Sequence, residues 1–466
     1  MTLSIFEAAR DAPARSAIVG DDGELTFAEL TVRVERRLGE LHAAGALDPS
    51  GQRPVLVVAH ATLPTIETLL ALFAAGTPAL LGHPRATTLE LEALSRRARA
   101  VAEPARGGPA TPPVLGAFDP ERVAVLMPTS GTTGEPRIVL LSHRALVAAA
   151  RASAENLGVE DDRWLLSLPL AHVGGLGVLV RSLWNRRAVA LFSVEKSLLR
   201  ELDRFVAACE RLQVTLVSLV PTLLERLLAP PVAWRPPPSL RAVLVGGAAI
   251  PRRLIARARA AGIPALPTYG MTETCAQIST GRYAARFEPP PPGHELFPSG
   301  VPLAGTEVRL VDGLLEVRSP MLLSGYLGEA ASAPRDRFFA TNDRAFLDEH
   351  GELTILGRAS DLIITGGENV DPLEVEAALQ SLPGVRLAYV FGVPDATFGE
   401  RIAALVVTDG SSQGDLETLS AGLRSRIASF KLPRLLDCVP ELPLTPTGKL
   451  DRRAARVLYA ARVTRS

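Results

Sequence analysis

Lysine is nearly missing from this chain. Acidic and basic residues balance at 50 each, yet of the 50 basic residues only Lys196, Lys431 and Lys449 are lysine. Arginine has taken almost every place where a generic positive charge suffices, so each lysine that remains draws notice. The even balance gives nothing global to favour nucleic acid or an anionic membrane surface. Cysteine is scarce as well: Cys209, Cys275 and Cys438 are too few and too scattered for a disulfide framework or a Cys-rich metal centre, which fits a reducing compartment. Long apolar runs are absent, and the start MTLSIFEAARDAPARS lacks a basic stretch followed by an apolar core. The expectation is a soluble, cytoplasmic protein without membrane insertion.

What is present is enough for a large buried interior. With 466 residues, 47% of them hydrophobic, the chain suggests two or three domains. Its first two-thirds alternate short β-branched runs with helical patterns, as in a parallel sheet with crossover helices: residues 53–59 (RPVLVVA), 123–127, 164–168, 188–192, 214–220 and 242–245 read as strands. From about 300 to 357 the pattern becomes short strands, with Asp312-Gly313 as a hairpin signal between VRLV and LLEVRS. A compact mixed unit follows, opening with a helix started by Asp371-Pro372 and holding the strand-like runs LAYVFGV and IAALVVT. The expected fold class is α/β, with a large N-terminal domain over 1–357 that includes a β subdomain at about 300–357. A hinge at 358–361 and a small α+β lobe over 362–466 complete it.

Several segments carry chemistry. Residues 128–137, PTSGTTGEPR, follow an apolar strand and precede a helical stretch opening at Ser142. Backbone N–H groups freed by Gly131 and Gly134, with the hydroxyls of Thr129, Ser130, Thr132 and Thr133 and the charge of Arg137, suit a phosphate; an ordinary turn has the same composition. The spacing is not that of a Walker A loop, which has four residues between its glycines and ends in Lys-Ser/Thr. In Tyr269-Gly270-Met271-Thr272-Glu273 a hydroxyl and a carboxylate sit at the end of the sheet series, where phosphate and Mg²⁺ are met in α/β folds, and equally where a helix begins. His172 lies between a strand and a glycine turn in LPLAHVGGLG. Asp343 ends a β run with two oxygens able to accept both hydroxyls of a ribose. Gly366 and Gly367 allow close backbone approach or a hairpin. Lys449 sits in TPTGK, a loop held by proline and freed by glycine, as a mobile point charge suited to phosphate and carboxylate oxygens.

Taken together in order and spacing, these segments resemble the adenylate-forming superfamily of acyl-CoA synthetases, firefly-type luciferases and adenylation domains of peptide synthetases, over nearly the whole chain. The resemblance implies ATP, Mg²⁺ and coenzyme A as ligands alongside a small-molecule carboxylate, and a C-terminal lobe that rotates between two half-reactions. By the same route the loop 129–137 holds triphosphate; Gly246, Gly247, Ala248 and Tyr269, with Gly270, line the adenine pocket; and Thr272 meets the α-phosphate. Glu273 meets Mg²⁺, Asp343 the ribose with Arg358 beside it, and His172 stands at the acyl pocket. Lys449 bridges the acyl carboxylate and the α-phosphate, and rotation brings the 365–369 loop, with Gly366 and Gly367, to the thiol channel.

Three departures stand out: Arg137 replaces the usual lysine of the triphosphate loop, Asn342 stands where glycine is usual, and the hinge position two residues after Arg358 is Ser360. In detail, LPLAHVGGLGVLVRSLW, VSLVPTLLERLL, LVGGAAIP, YGMTETCAQ and GRASDLIITGGENVDP resemble the o-succinylbenzoate-CoA ligases of menaquinone biosynthesis. Such an acid uses one carboxylate in the chemistry and needs a cation for the other, for which Arg181 is the candidate; an ordinary helix arginine reads the same way. Other aryl or medium-chain acyl-CoA ligases, a stand-alone enzyme loading a carrier protein, and an inactive scaffold stay open, as does a homo-oligomer.

Overall fold

The computed structural model describes residues 2–463 apart from 49, 109, 117, 130–136, 193–200, 290–294, 330–336, 396, 410–415 and 446–447. Two large sheets build the first part. One has nine strands in the order Val301–Pro302, Ser279–Thr280, Ala265–Tyr269, Ala242–Val245, Leu216–Leu219, Arg163–Leu166, Ala188–Leu191, Ser16–Gly20 and Gly23–Thr26. From Ala265–Tyr269 through Ser16–Gly20 every neighbour is parallel, as the alternating pattern implied. The second has six strands, Gly325–Tyr326, Arg137–Ser142, Val123–Thr129, Ala79–Gly82, Val55–Val58 and Val101–Ala102. Helices cover these sheets because their sequences bury one stripe or more. Leu63–Ala75 is buried almost all round, while Phe27–Ala43 buries Phe27, Leu30, Val34, Leu38 and Leu41 and starts at a Thr26/Glu29 capping box that satisfies two free N–H groups.

A four-stranded antiparallel sheet follows, Glu307–Val311, Leu314–Arg318, Phe339–Leu347 and Leu353–Arg358. Its first hairpin turns at Asp312 and Gly313, both with positive φ (52° and 76°), the geometry that Asp-Gly favours in a two-residue turn. Not all of the expected β subdomain stays there: Gly325–Tyr326 crosses to the edge of the six-stranded sheet, pairing with Leu140 and Val139. The smaller C-terminal part is a mainly antiparallel sheet containing Ile363–Thr365, Glu368–Val370, Val385–Asp395, Gly399–Thr408 and Leu435–Cys438, covered by Pro372–Gln380, Leu416–Arg424 and Arg452–Val463. Asp371 is the N-cap of Pro372–Gln380, accepting from Leu373 N, with Pro372 in the first turn. The fold is thus α/β with a smaller second domain.

Two local expectations are corrected. The segment after residue 136 is a strand, Arg137–Ser142, antiparallel to Val123–Thr129, so the glycine-rich loop joins a hairpin and not a strand to a helix. The β-branched run RIVLLS explains this, and the helix begins only at His143 with Ser142 as its cap. The glycines after His172 do not form a turn either. They lie in helix Val173–Asn185, where a Cβ at Gly175 would stand 2.3 Å from the Pro169 carbonyl oxygen. Glycine here serves close packing, not bending.

Candidate active site

The carboxyl ends of the parallel strands converge on one cleft, the place where α/β sheets bind ligands. Gly246 follows Ala242–Val245, Tyr269 ends Ala265–Tyr269, His83 follows Ala79–Gly82, and His172 lies shortly beyond Arg163–Leu166. Gly246 lies so close to the next strand that a Cβ would meet Thr268 at 2.7 Å, while Gly247 and Ala248 are exposed in the cleft. Gly270 passes the Ala276 carbonyl oxygen where a Cβ would stand 1.3 Å away. The Tyr269 hydroxyl donates to Asp343 Oδ2 at 2.5 Å, and Arg358 Nε lies 3.6 Å from Asp343 Oδ1. Asp343 is buried within strand Phe339–Leu347, next to Asn342, which takes φ +60°. Burial pushes the Asp343 carboxyl up from its ordinary value, opposed by the Tyr269 hydrogen bond and by Arg358. Burial and the Asp343 charge likewise hold the Tyr269 phenol well above its usual range. Each carboxylate oxygen has two lone pairs, so Asp343 can accept further donors.

Thr272 and Glu273 form a single 3₁₀ turn, Thr272–Thr274, after Tyr269. Glu273 Oε1 accepts from the Tyr326 hydroxyl at 3.1 Å, and the Tyr326 ring in turn lies under the Arg137 guanidinium, 3.4 Å from carbon to centroid. Arg137 also donates Nη2 to both carboxylate oxygens of Glu329, at 2.7 and 2.9 Å. Thr129 Oγ1 donates to the Arg137 carbonyl at 3.2 Å across the base of the hairpin. Ser130, Gly131, Thr132, Thr133 and Gly134 lie outside the described residues. Among the described residues no cluster of three or more His, Cys, Asp or Glu could hold a metal on its own. Glu273 presents a single carboxylate, which is compatible with Mg²⁺, an ion that commonly takes one or two protein carboxylates and completes its shell with phosphate and water.

Lys449 reaches this cleft from the C-terminal lobe. Its Cε and Nζ lie 2.8 and 3.1 Å from where a Cβ on Gly247 would stand, so the φ +82° glycine leaves the space the lysine fills. Enclosure by protein, and after it the Arg358 charge, lower its pKa, although one side stays open to the cleft. The Thr222 hydroxyl donates to the Gly448 carbonyl beside it. His172 is pushed down to about 4 by desolvation first, then by His83 and Lys449, so its imidazole is neutral at physiological pH. The His83 and His172 rings meet edge to face at 5.3 Å. His83 Nδ1 accepts from Arg85 N at 3.1 Å, which leaves its proton on Nε2 when neutral.

Nine residues after His172 on the same helix, Arg181 is 3% exposed. It borders a narrow cavity with Leu146, Ala149, Val173, Gly177 and Cys275. Its Nε and Nη2 have no hydrogen-bond partner among the described residues, and its nearest aromatic face is Trp164 at 5.2 Å. Burial lowers its pKa to about 10, so it stays charged at neutral pH. An unpaired buried cation is costly, and here it lines a cavity.

The structure therefore brings Lys449, His172, Gly247, Tyr269, Asp343 and Arg358 to one cleft. Gly366 and Gly367 are apart from it: they turn the exposed hairpin between Ile363–Thr365 and Glu368–Val370, where, among the described residues, a Cβ on Gly366 would meet only Phe398. Tyr326, Glu329 and His83 were not singled out from sequence. Tyr326 lies 53 positions from Glu273 on a strand that changes sheets, and no spacing signals such a contact.

The family described as AMP-binding enzyme matches residues 98–327, and its C-terminal domain matches residues 374–449. A 2-succinylbenzoate–CoA ligase of Bacillus licheniformis is 35% identical, with 94% of this chain and 96% of that protein covered. The o-succinylbenzoate CoA synthetase of Bacillus subtilis in complex with its acyl-adenylate intermediate superposes with a TM-score of 0.83 at 27% identity, covering 97% of both chains. The same synthetase in complex with ATP and magnesium ion gives 0.81 at 28%, covering 98% of this chain and 99% of that one. With Lys449, His172, Tyr269, Asp343 and Arg358 gathered in one cleft, and with the family matched over residues 98–327 and 374–449 and a relative 35% identical over 94% of this chain, the chain belongs to the AMP-binding, adenylate-forming enzymes.

Proposed function

We propose that this chain is an AMP-forming carboxylate–CoA ligase that joins o-succinylbenzoate to coenzyme A at the expense of ATP, a step of menaquinone biosynthesis. The observation that carries the choice of acid is Arg181, a buried guanidinium whose Nε and Nη2 have no partner among the described residues, on a cavity that is also lined by Val173, the residue after His172. An aryl diacid supplies what that cation lacks, a second carboxylate placed away from the reacting one. Pairing there turns an isolated buried charge into a charge-assisted hydrogen bond.

In the first half-reaction the aliphatic carboxylate oxygen forms a bond to the α-phosphorus of ATP, the bond from α-phosphorus to the bridging oxygen breaks, and pyrophosphate leaves. Lys449 places a single positive charge where carboxylate and α-phosphate oxygens approach, and the Thr272 hydroxyl faces the same oxygens. Most of the stabilisation is electrostatic. Asp343 holds the ribose, aligned by Tyr269, while Thr129 and Arg137 flank the triphosphate loop. Glu273 would hold Mg²⁺, which when bound offsets phosphate charge. In the second half-reaction the thiol sulfur attacks the acyl carbon, the bond to AMP breaks and the thiol proton passes to solvent. For this, the lobe turns about residues 358–361, withdrawing Lys449 and presenting Gly366 and Gly367. The reading takes 1–357 as the large domain and 362–466 as the mobile lobe.

Incubation with ATP and Mg²⁺ and a panel of acids tests this directly, with products identified by mass. The expected product is the o-succinylbenzoyl adenylate without CoA and its thioester with CoA. Equal conversion of benzoate, fatty acids and o-succinylbenzoate would sink the choice of acid.

A further inference from the structure

The approach of Lys449 to Gly247 is not the lobe's sole contact with the large domain. Arg253, in the first turn of helix Arg252–Ala260 in the large domain, donates through Nη2 to the carbonyl oxygens of Val385 at 2.5 Å and Arg386 at 3.3 Å. Both acceptors open strand Val385–Asp395 of the lobe. Arg344, in strand Phe339–Leu347, donates Nη1 to Asp371 Oδ2 at 3.0 Å, while Asp371 Oδ1 caps the lobe's helix at Leu373 N. The third contact is Thr222 Oγ1 with the Gly448 carbonyl, next to the lysine. In all three the donor belongs to the large domain and the acceptor to the lobe. A rigid rotation about 358–361 parts donor from acceptor and leaves bonds within the lobe intact.

The placement of these contacts gives them a direction. Asp371 is 8% exposed and lies over the hinge strand, where a Cβ on Gly357 would meet its Oδ1 at 3.1 Å. Arg253 meets the lobe at Val385 and Arg386, beyond the other end of helix Pro372–Gln380, whose nine residues span about 13 Å from the Asp371 cap. Two attachment points well apart fix an orientation, whereas one alone permits swivelling. When they part, the Val385 and Arg386 carbonyls and the Arg253 guanidinium regain water, so each contact contributes modestly and can be remade every cycle.

We propose that Arg253 and Arg344 are positioning residues of the adenylation half-reaction: they clasp the lobe in the orientation that delivers Lys449, and they let go for thioester formation. This rests on the reading of Lys449 as the lysine of the adenylation step. Neither arginine needs to touch substrate. Weakening the clasp shifts the lobe away from adenylation, so the two half-reactions respond in opposite senses or one alone responds.

Wild type, Arg253→Ala, Arg253→Lys and Arg344→Gln are compared in carboxylate-dependent pyrophosphate–ATP exchange and in thioester formation from supplied acyl-adenylate and CoA. Exchange should fall about tenfold in Arg253→Ala, the loss of one hydrogen bond from a charged donor, with thioester formation from supplied adenylate equal to or above wild type. Arg253→Lys, which keeps a donor, should recover part of the exchange, and Arg344→Gln should follow Arg253→Ala in direction. Equal falls in both half-reactions across all three variants, or unchanged exchange, overturns the clasp while leaving the ligase reading in place. A wild-type protein that shows no exchange with any acid overturns both.

Discussion

Replacing Arg181 by methionine should make the protein more stable and less able to use its substrate. Burial lowers the arginine from its ordinary value to about 10, which corresponds to about 3 kcal/mol by which the fold disfavours the cation relative to water. Methionine has similar length, fits an apolar cavity and removes that cost, so an increase of about 1–3 kcal/mol in unfolding free energy is expected, read as a shift in the urea midpoint at constant slope. The same change leaves the second carboxylate of o-succinylbenzoate buried without a counter-charge. Breaking such a pair costs about 3–5 kcal/mol, or about a hundredfold to a few thousandfold in kcat/KM for the diacid. An analogue lacking the ring carboxylate never uses that pair and should keep its kcat/KM within a few fold. The assay follows AMP release with both acids in both proteins. A methionine variant that is less stable and loses both acids equally would show that Arg181 is a structural cation seated on Trp164, and the reasoning from its unpartnered N–H groups would fail.

Lys449→Ala should reduce pyrophosphate–ATP exchange at least about a hundredfold, while thioester formation from supplied acyl-adenylate falls far less; unchanged exchange would remove the lysine from the chemistry. Ser360 lies in the 3₁₀ turn Ala359–Asp361, a turn type whose usual φ suits proline, so Ser360→Pro should fix the present orientation and spare exchange more than thioester formation. Equal losses in both would count against a turning lobe. His143 is buried between the Phe73 and Phe118 rings with both nitrogens unpartnered among the described residues, and desolvation pushes it down to about 4. The unfolded chain therefore takes up a proton near pH 6.5 that the fold resists until about 4. Stability is complete above that window and declines by up to about 3 kcal/mol as pH falls through it. His143→Phe should flatten that part of the pH–stability curve, and an unchanged curve would mean that His143 is not its source.

Much of this was legible before the fold was known, for identifiable reasons. Parallel strands such as Ala242–Val245 are buried on both faces and announce themselves as unbroken apolar runs. The Asp371-Pro372 helix start and the Asp312-Gly313 hairpin rest on local chemistry that tertiary contacts did not override. The scarcity of lysine separated two lysines cleanly: Lys431 is held by Glu374 at 2.6 and 2.7 Å within its own lobe, and Lys449 stands in the cleft. The unread features depend on contacts between distant segments. RIVLLS pairs as a strand because Val123–Thr129 lies beside it, while the helix signal in the sequence starts only at Ser142, where the structure places the cap. Helix Val173–Asn185 carries three glycines because Leu168, Pro169 and the Arg181 guanidinium crowd that face, a crowding invisible in a glycine-rich string. Tyr326 couples Glu273 to Arg137 only through a strand that leaves its neighbours. Arg137 itself was read from sequence as a phosphate-side charge; its present partners are Glu329 and the Tyr326 ring.

The central claim is that this cleft activates an aryl diacid, with one carboxylate at Lys449 and the other at Arg181. The most direct measurement is AMP release by the wild-type protein with ATP, Mg²⁺ and CoA, comparing o-succinylbenzoate with the analogue that lacks only the ring carboxylate. The account predicts a kcat/KM for the diacid at least about a hundredfold higher, the worth of one buried charge-assisted pair. Equal values for the two acids would contradict it.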